Sequence, residues 1–84
     1  MSAIHVRCRL FARYAELTGV TEVDVHLPSP ATVADAVAHL RARIPNGRQL
    51  PERPLVAVNL EHALAGRVLE DGDEMDLLPP LAGG

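Results

Sequence analysis

Polar and apolar residues alternate at the start of the chain, and Ile4, Val6, Cys8 and Leu10 form the apolar row. A period of two predicts a half-buried strand over residues 3–10, with those four side chains facing inward. Cys8 then reads as core filler, the usual state of a free cysteine. From Phe11 to Leu17 the period changes. Ala12, Ala15 and Glu16 tolerate a helix and Gly19 supplies a stop, so a short helix is expected there. Thr21 to Leu27 alternates again, with Val23, Val25 and Leu27 on one side, and predicts a second strand paired with its neighbour in a sheet.

Pro28-Ser29-Pro30 breaks that strand. Thr32 stands three residues before Asp35, a capping-box spacing with Asp in place of the usual Glu or Gln. Val33, Ala36, Val37, Leu40 and Ile44 follow as one apolar stripe, which predicts the main helix, about three turns long. Arg41 and Arg43 suit the dipole at its end, and Pro45-Asn46-Gly47 stops it. Residues 46–54 are polar and proline-bearing and are expected to be loop. Leu55 to Asn59 predicts a short buried strand. Residues 61–69 are ambiguous, since a very short strand and a single helical turn both fit. Glu70 to Glu74 has turn composition, with Gly72 free to take positive φ. Met75 to Leu78 predicts a last short strand. One amphipathic helix laid on about four strands with a common apolar face makes an α+β, two-layer domain.

The chain has 84 residues, room for one core. A domain of this size buries about 60–65% of the surface its unfolded chain exposes, so its stability is marginal. The net charge of −3 argues against a nucleic-acid partner. All eight basic residues are arginine, which leaves no lysine for a Schiff base or as an acyl acceptor. A single cysteine excludes an internal disulfide and a cysteine-based zinc site. No apolar run is long enough to cross a membrane and no signal pattern opens the chain, so a cytoplasmic protein is expected. His5, His26, His39 and His62 share no ligand spacing, and no metal is expected. Ser29 lacks a nucleophile context. Asp35 and Glu16 are explained by capping and a solvated helix face.

The end of the sequence carries the chemistry. Pro79 and Pro80 follow the last strand and favour an extended course. Leu81, Ala82, Gly83 and Gly84 come next, and residues 79–84 span at most about 20 Å. Gly83 and Gly84 have no side chains, so they can pass through a channel too narrow for a Cβ. The expected organisation is a domain over 1–78 and an extended tail over 79–84, with the carboxylate of Gly84 presented to a second protein.

The run from Leu69 to Gly84 resembles the end of MoaD-type proteins, the small subunits of molybdopterin synthase in the MoaD/ThiS ubiquitin-like sulfur-carrier family. Their ending looks like Leu-x-Asp-Gly-Asp-Glu, a short apolar strand, then Pro-Pro-x-x-Gly-Gly. Leu10-Phe11-Ala12-Arg13 with Glu16-Leu17 and Gly19 is similar to the family's first strand and helix. Val56-Ala57-Val58-Asn59 is similar to its third strand. The resemblance implies a β-grasp, ubiquitin-like fold: a mixed sheet crossed by one main helix, with the first and last strands parallel neighbours.

The same resemblance implies that Gly84 is adenylated by a ubiquitin-activating-like adenylyltransferase of MoeB type. ATP and Mg²⁺ would be used by that partner, and no cofactor would be bound by this chain. A persulfide donor would then leave a thiocarboxylate, and the sulfur would pass to a pterin precursor in a MoaE-type large subunit. On its own the chain would not be an enzyme, and position would be its contribution.

Docking is the other expected task. Leu77 and Leu78 are adjacent in a strand and point to opposite faces. One enters the core and the other is expected to anchor a partner, with Phe11 and with Pro79, Pro80, Leu81 and Ala82 of the tail. Glu70, Asp71, Asp73, Glu74 and Asp76 form an acidic run, with no base after Arg67 to compensate it. It reads equally as a solvated turn or as a steering patch for a basic groove. Two other readings remain open. One is a carrier of the same architecture for thiamin synthesis, transfer-RNA thiolation or cysteine synthesis. The other is a non-conjugating ubiquitin-like binding module with an idle tail.

Overall fold

The computed structural model describes residues 2–80. Ten elements follow in order: β1 (Ala3–Leu10), α1 (Ala12–Thr18), β2 (Glu22–Pro28), β3 (Ala31–Thr32), α2 (Val33–Arg43), a 3₁₀ turn (Gly47–Gln49), β4 (Leu55–Val58), β5 (Glu61–Ala63), β6 (Val68–Leu69) and β7 (Asp73–Leu78).

The alternation in β1 works as expected: Ile4, Val6, Cys8 and Leu10 are all buried. β2 lies antiparallel to β1, with Ile4 opposite Leu27 and Val6 opposite Val25. On the other side of β1, β7 runs parallel, Cys8 facing Met75 and Leu10 facing Leu77. β4 closes against β7 in the antiparallel sense, and β5 returns beside β4. The sheet order is therefore β2-β1-β7-β4-β5, with a separate two-stranded ladder of β3 and β6. The parallel β1/β7 pair at the centre and the helix across one face are the β-grasp arrangement.

Helix α2 begins where the capping box predicts. Thr32 Oγ1 accepts from the Asp35 backbone N–H at 3.2 Å, and Asp35 Oδ2 accepts from the Thr32 N–H at 2.9 Å. Both bonds satisfy donors that a helix start leaves without intrahelical partners. Val33, Ala36, Val37 and Leu40 are buried against the sheet. Ile44 lies beyond the helix as its cap, extended and only partly buried. Pro45 follows it, and the residue before a proline is driven out of the helical region. Helix α1 ends on Gly19 at φ 73°, a left-handed cap in which the Gly19 N–H donates to the Ala15 carbonyl.

Three expectations change. Phe11 is the cap of α1 and not part of it, so the helix begins one residue later. The segment 46–54 is not all loop. It holds the 3₁₀ turn, and Leu50 is among the most deeply buried side chains. A single inward residue carries no periodicity, so the pattern gave no sign of it. Residues 61–69 hold two short strands, β5 and β6, with a turn between them and no helical turn. Asn59 and Leu60, both at positive φ (51° and 69°), make the tight β4–β5 connection.

Candidate docking face at the root of the tail

Central placement of β7 decides where the chain leaves the body. Leu78 ends the strand and Pro79-Pro80 follow it. Leu81, Ala82, Gly83 and Gly84 lie outside the described residues. Around the exit is an open groove of about 1410 Å³, lined by Phe11, Tyr14, Leu17, Pro51, Leu55, Leu78, Pro79 and Pro80 among others. Its walls are mostly apolar, and Leu55 sits directly opposite Leu78 across the β4/β7 ladder.

The two adjacent leucines divide as strand geometry requires. Leu77 is fully buried, so its side chain belongs to the core and is not available to a partner. Leu78 is half-buried and faces the groove. Phe11 is 36% exposed and its N–H donates to the Leu77 carbonyl at 3.3 Å, which fixes the start of α1 to the end of β7. Next to it, Ala12 has φ 47°, a strained conformation for a residue with a Cβ. Leu55, 48% exposed, joins the face although it reads in the sequence as part of a buried run.

The acidic run splits in two. Asp73 and Asp76 are buried. Asp73 Oδ2 accepts from the Glu70 N–H at 2.8 Å and its Oδ1 accepts from Asn59 Nδ2 at 2.9 Å. Asp76 accepts a fork from Arg9, Nε to Oδ1 at 2.8 Å and Nη2 to Oδ2 at 2.9 Å. Arg9 Nη2 also lies 3.1 Å from Glu74 Oε1. Asp71 Oδ1 accepts from the His5 backbone N–H at 2.7 Å, which, ahead of the imidazole nearby, holds its carboxyl below the usual range. The compensating base missing after Arg67 thus arrives from β1. Asp73 and Asp76 are buried in internal bonds, Glu74 is part-exposed beside Arg9, and Glu70 and Asp71 are exposed, Asp71 while holding the His5 N–H.

Arg9 is the residue that sequence reasoning missed. It stands in register with Asp76 in the parallel ladder, and its guanidinium carbon lies 5.2 Å from the centre of the Phe11 ring. Seeing this required the strand order, because 67 positions separate the two partners. Asp76 raises the ionisation of Arg9 above its ordinary value, chiefly through the hydrogen-bonded fork.

The remaining candidates stay apart from this face. His5 and His26 meet across β1/β2 with ring centres 4.1 Å apart. Among the described residues no group of three or more ligating side chains could hold a metal ion. Burial, then the nearby Asp24 and Asp76, push the Cys8 thiol up to about 12, so it is a structural sulfur. No helix among the described residues is long and apolar enough to cross a membrane.

The model of the ThiS family matches residues 8–84. A protein of Arabidopsis thaliana named molybdopterin synthase sulfur carrier subunit is 29% identical over 83 residues, covering 99% of this chain and 86% of that one. Small archaeal modifier protein 1 of Haloferax volcanii is 37% identical over 84 residues, covering 90% of this chain and 97% of that one. The crystal structure of SAMP1 from Haloferax volcanii matches the fold with a TM-score of 0.83 at 33% identity, over 95% of this chain and 99% of that chain.

Proposed function

The chain belongs to the ThiS family, and from that premise we propose that it is a sulfur carrier whose reactive atom is the carboxyl carbon of Gly84, serving molybdopterin synthesis. A carboxylate is a poor electrophile and must be activated. A carboxylate oxygen of Gly84 attacks the α-phosphorus of ATP on a MoeB-type adenylyltransferase, and pyrophosphate leaves. The terminal sulfur of a persulfide donor then attacks the acyl carbon and displaces AMP, forming a C–S bond, and a thiol cleaves the donor's own S–S bond, leaving a thiocarboxylate on Gly84 and a disulfide on the donor side. The tail delivers that sulfur into a MoaE-type large subunit, where the pterin precursor accepts it. ATP and Mg²⁺ belong to the activating partner.

One observation carries this reading. The central strand β7 ends in an exposed apolar groove, and Pro79-Pro80 form part of its wall. A partner that grips Phe11, Leu55 and Leu78 therefore holds the base of the tail. Four further residues reach at most about 14 Å beyond it. Anchoring at the root makes delivery of the terminal atom an effectively intramolecular event. Pro79 and Pro80 reduce the entropy lost when the tail is threaded.

A second reading is favoured by the 37% identity to a protein named a modifier. In it the same activated carboxyl is passed to a different acceptor, and the docking face and the first chemical step are unchanged.

Intact mass spectrometry tests the shared step. After incubation with the activating enzyme, ATP and a persulfide donor, the protein should gain one sulfur in place of one oxygen. A variant with one alanine added after Gly84 should gain none. An unchanged wild-type mass, or an extended variant that still donates sulfur, would refute the carrier reading and leave the binding-module alternative.

A further inference from the structure

The sheet brings together two histidines that no short spacing in the sequence connects. His5 of β1 and His26 of β2 stand directly opposite each other, with ring centres 4.1 Å apart. Opposed residues of antiparallel strands hold their Cβ atoms about 4.5–5.5 Å apart, so neither side chain has to reach for the other. Both are exposed, on the face that alternates away from the core. The rings are tilted by 57°. Parallel rings keep their nitrogen lone pairs in planes that never meet, whereas these two planes cross. His5 Nδ1 lies 3.4 Å from Asp71 Oδ1. A carboxylate in that place keeps the proton on Nδ1 and leaves the Nε2 lone pair free, as it does for metal-bound imidazoles. Arg7, next along the outward row of β1, is offset by Glu22 at 3.1 Å and Asp24 at 3.5 Å.

We propose that His5 and His26 form a two-imidazole site for a divalent late transition metal that takes its ligands at right angles, Cu²⁺ or Ni²⁺, with water in the remaining positions. The ring separation selects the geometry. With metal–nitrogen bonds of about 2.0–2.1 Å, a right angle at the metal places two imidazole ring centres about 4.5 Å apart, and a tetrahedral angle about 5.2 Å. The 4.1 Å observed needs a small opening for the first and a much larger one for the second. Tetragonal nitrogen and oxygen ligation suits Cu²⁺ and Ni²⁺, while Zn²⁺ prefers a tetrahedron. Asp71 does not touch the metal and acts as a positioning residue for the His5 ring. The site lies at the end of the sheet away from the tail-root groove: Val6 is level with Asp73 at the start of β7, and Leu10 with Leu77 near its end. It therefore depends on neither the carrier reading nor a partner protein. A bound ion would tie β2 to β1 and, through Asp71, to the turn before β7.

Calorimetric titration of the protein with CuCl₂ tests this. One saturable ion per chain is expected. His5→Ala and His26→Ala should each weaken binding by about 100-fold, because a second ligand on the same body acts as an intramolecular one. His39→Ala and His62→Ala should leave it unchanged. Asp71→Asn keeps an acceptor for the His5 backbone N–H and loses the charge, and should weaken binding about tenfold. Ni²⁺ should bind more tightly than Zn²⁺, and the reverse order would overturn the right-angle site. Both histidines are exposed, so the alanine variants should fold, and circular dichroism without metal checks that they do. Electron paramagnetic resonance of the Cu²⁺-loaded wild-type protein reads the ligands with no substitution at all. Two equatorial imidazole nitrogens are expected, and one or none would overturn the proposal. Several weak ions per chain, insensitive to His5→Ala, would mean adventitious ions only and would overturn it as well. No partner enters these measurements, so either result leaves the proposed function where it stands.

Discussion

Replacing Asp73 by alanine separates a structural carboxylate from a steering one. Asp73 opens β7 and ties two turns together: one oxygen holds the Glu70 N–H and the other holds the Asn59 side-chain amide. Asn59 in turn accepts from the Glu74 N–H at 3.0 Å. The substitution removes two hydrogen bonds to a charged acceptor and leaves a part-buried N–H and an amide without their partner. Each such bond is worth about 1.5 kcal/mol or a little more, less whatever water recovers at the rim, so the loss should be about 2–3 kcal/mol. Against a total of about 5–15 kcal/mol that is a large fraction. At about 4–8 °C per kcal/mol for a domain this small, Tm should fall by about 10–20 °C. Urea titration followed by circular dichroism reads it as a lower midpoint with an unchanged slope. Glu70→Ala, at an exposed neighbouring acid, should stay within about 0.5 kcal/mol. Asn59→Ala added to Asp73→Ala should cost less than the sum of the two, because the residues share one bond. If Asp73→Ala were as stable as Glu70→Ala while partner affinity dropped, the carboxylate would be a docking charge and the bonding argument would be wrong.

Three other outcomes follow from burial and backbone geometry. Leu77→Ala removes a fully buried side chain from the centre of the sheet, and should lower unfolding free energy by about 2–5 kcal/mol in the same urea assay. Gly47→Ala would place a Cβ 2.5 Å from the Leu40 carbonyl oxygen and 2.7 Å from that of Arg41. These atoms belong to the end of α2 and cannot step aside singly, so a stability loss of at least about 1–3 kcal/mol is expected; a neutral substitution would show that the segment shifts freely. Cys8 should resist alkylation at pH 8 in the folded protein and react fully in denaturant, read by intact mass. Because folding raises that thiol from 9.0 to about 12, the unfolded chain loses its proton first as pH rises. Stability from this group is therefore complete below pH 9 and is lost between about 9 and 12. Cys8→Ala should start lower but show a flatter alkaline decline; an unchanged slope would refute the assignment.

The elements with a repeated signal were readable from the chain alone. β1 and β2 announce themselves by strict alternation, and α2 by its stripe and its Thr32–Asp35 cap. The family was legible in Pro-Pro and Gly-Gly together with the acidic turn before them, while the chemistry expected of Gly83 and Gly84 falls outside the described residues. What escaped has a common cause: it depends on single residues or on partners far apart in sequence. Leu50 enters the core alone from an irregular segment. Leu55 begins an apolar run yet faces outward at the edge of the groove. The acidic run was legible as composition, but the commitment of Asp73 to Asn59 and of Asp76 to Arg9 follows only from knowing which strands are neighbours. A count of charges along the chain therefore overstates the acidity that a partner meets.

The position of β7 between β1 and β4 also sets an order on assembly. Until residues 73–78 are inserted, the sheet consists of two hairpins, β1/β2 and β4/β5, with nothing joining them. Neither is stable alone in water. Most of the native contacts that matter are thus long-range in sequence, which places the domain among slower folders for its size. On a ribosome it cannot close until that strand has emerged. The segment that organises the body and the segment that leads into Pro79-Pro80 are one continuous stretch, so a chain whose interior has not formed has no fixed base for the residues that follow.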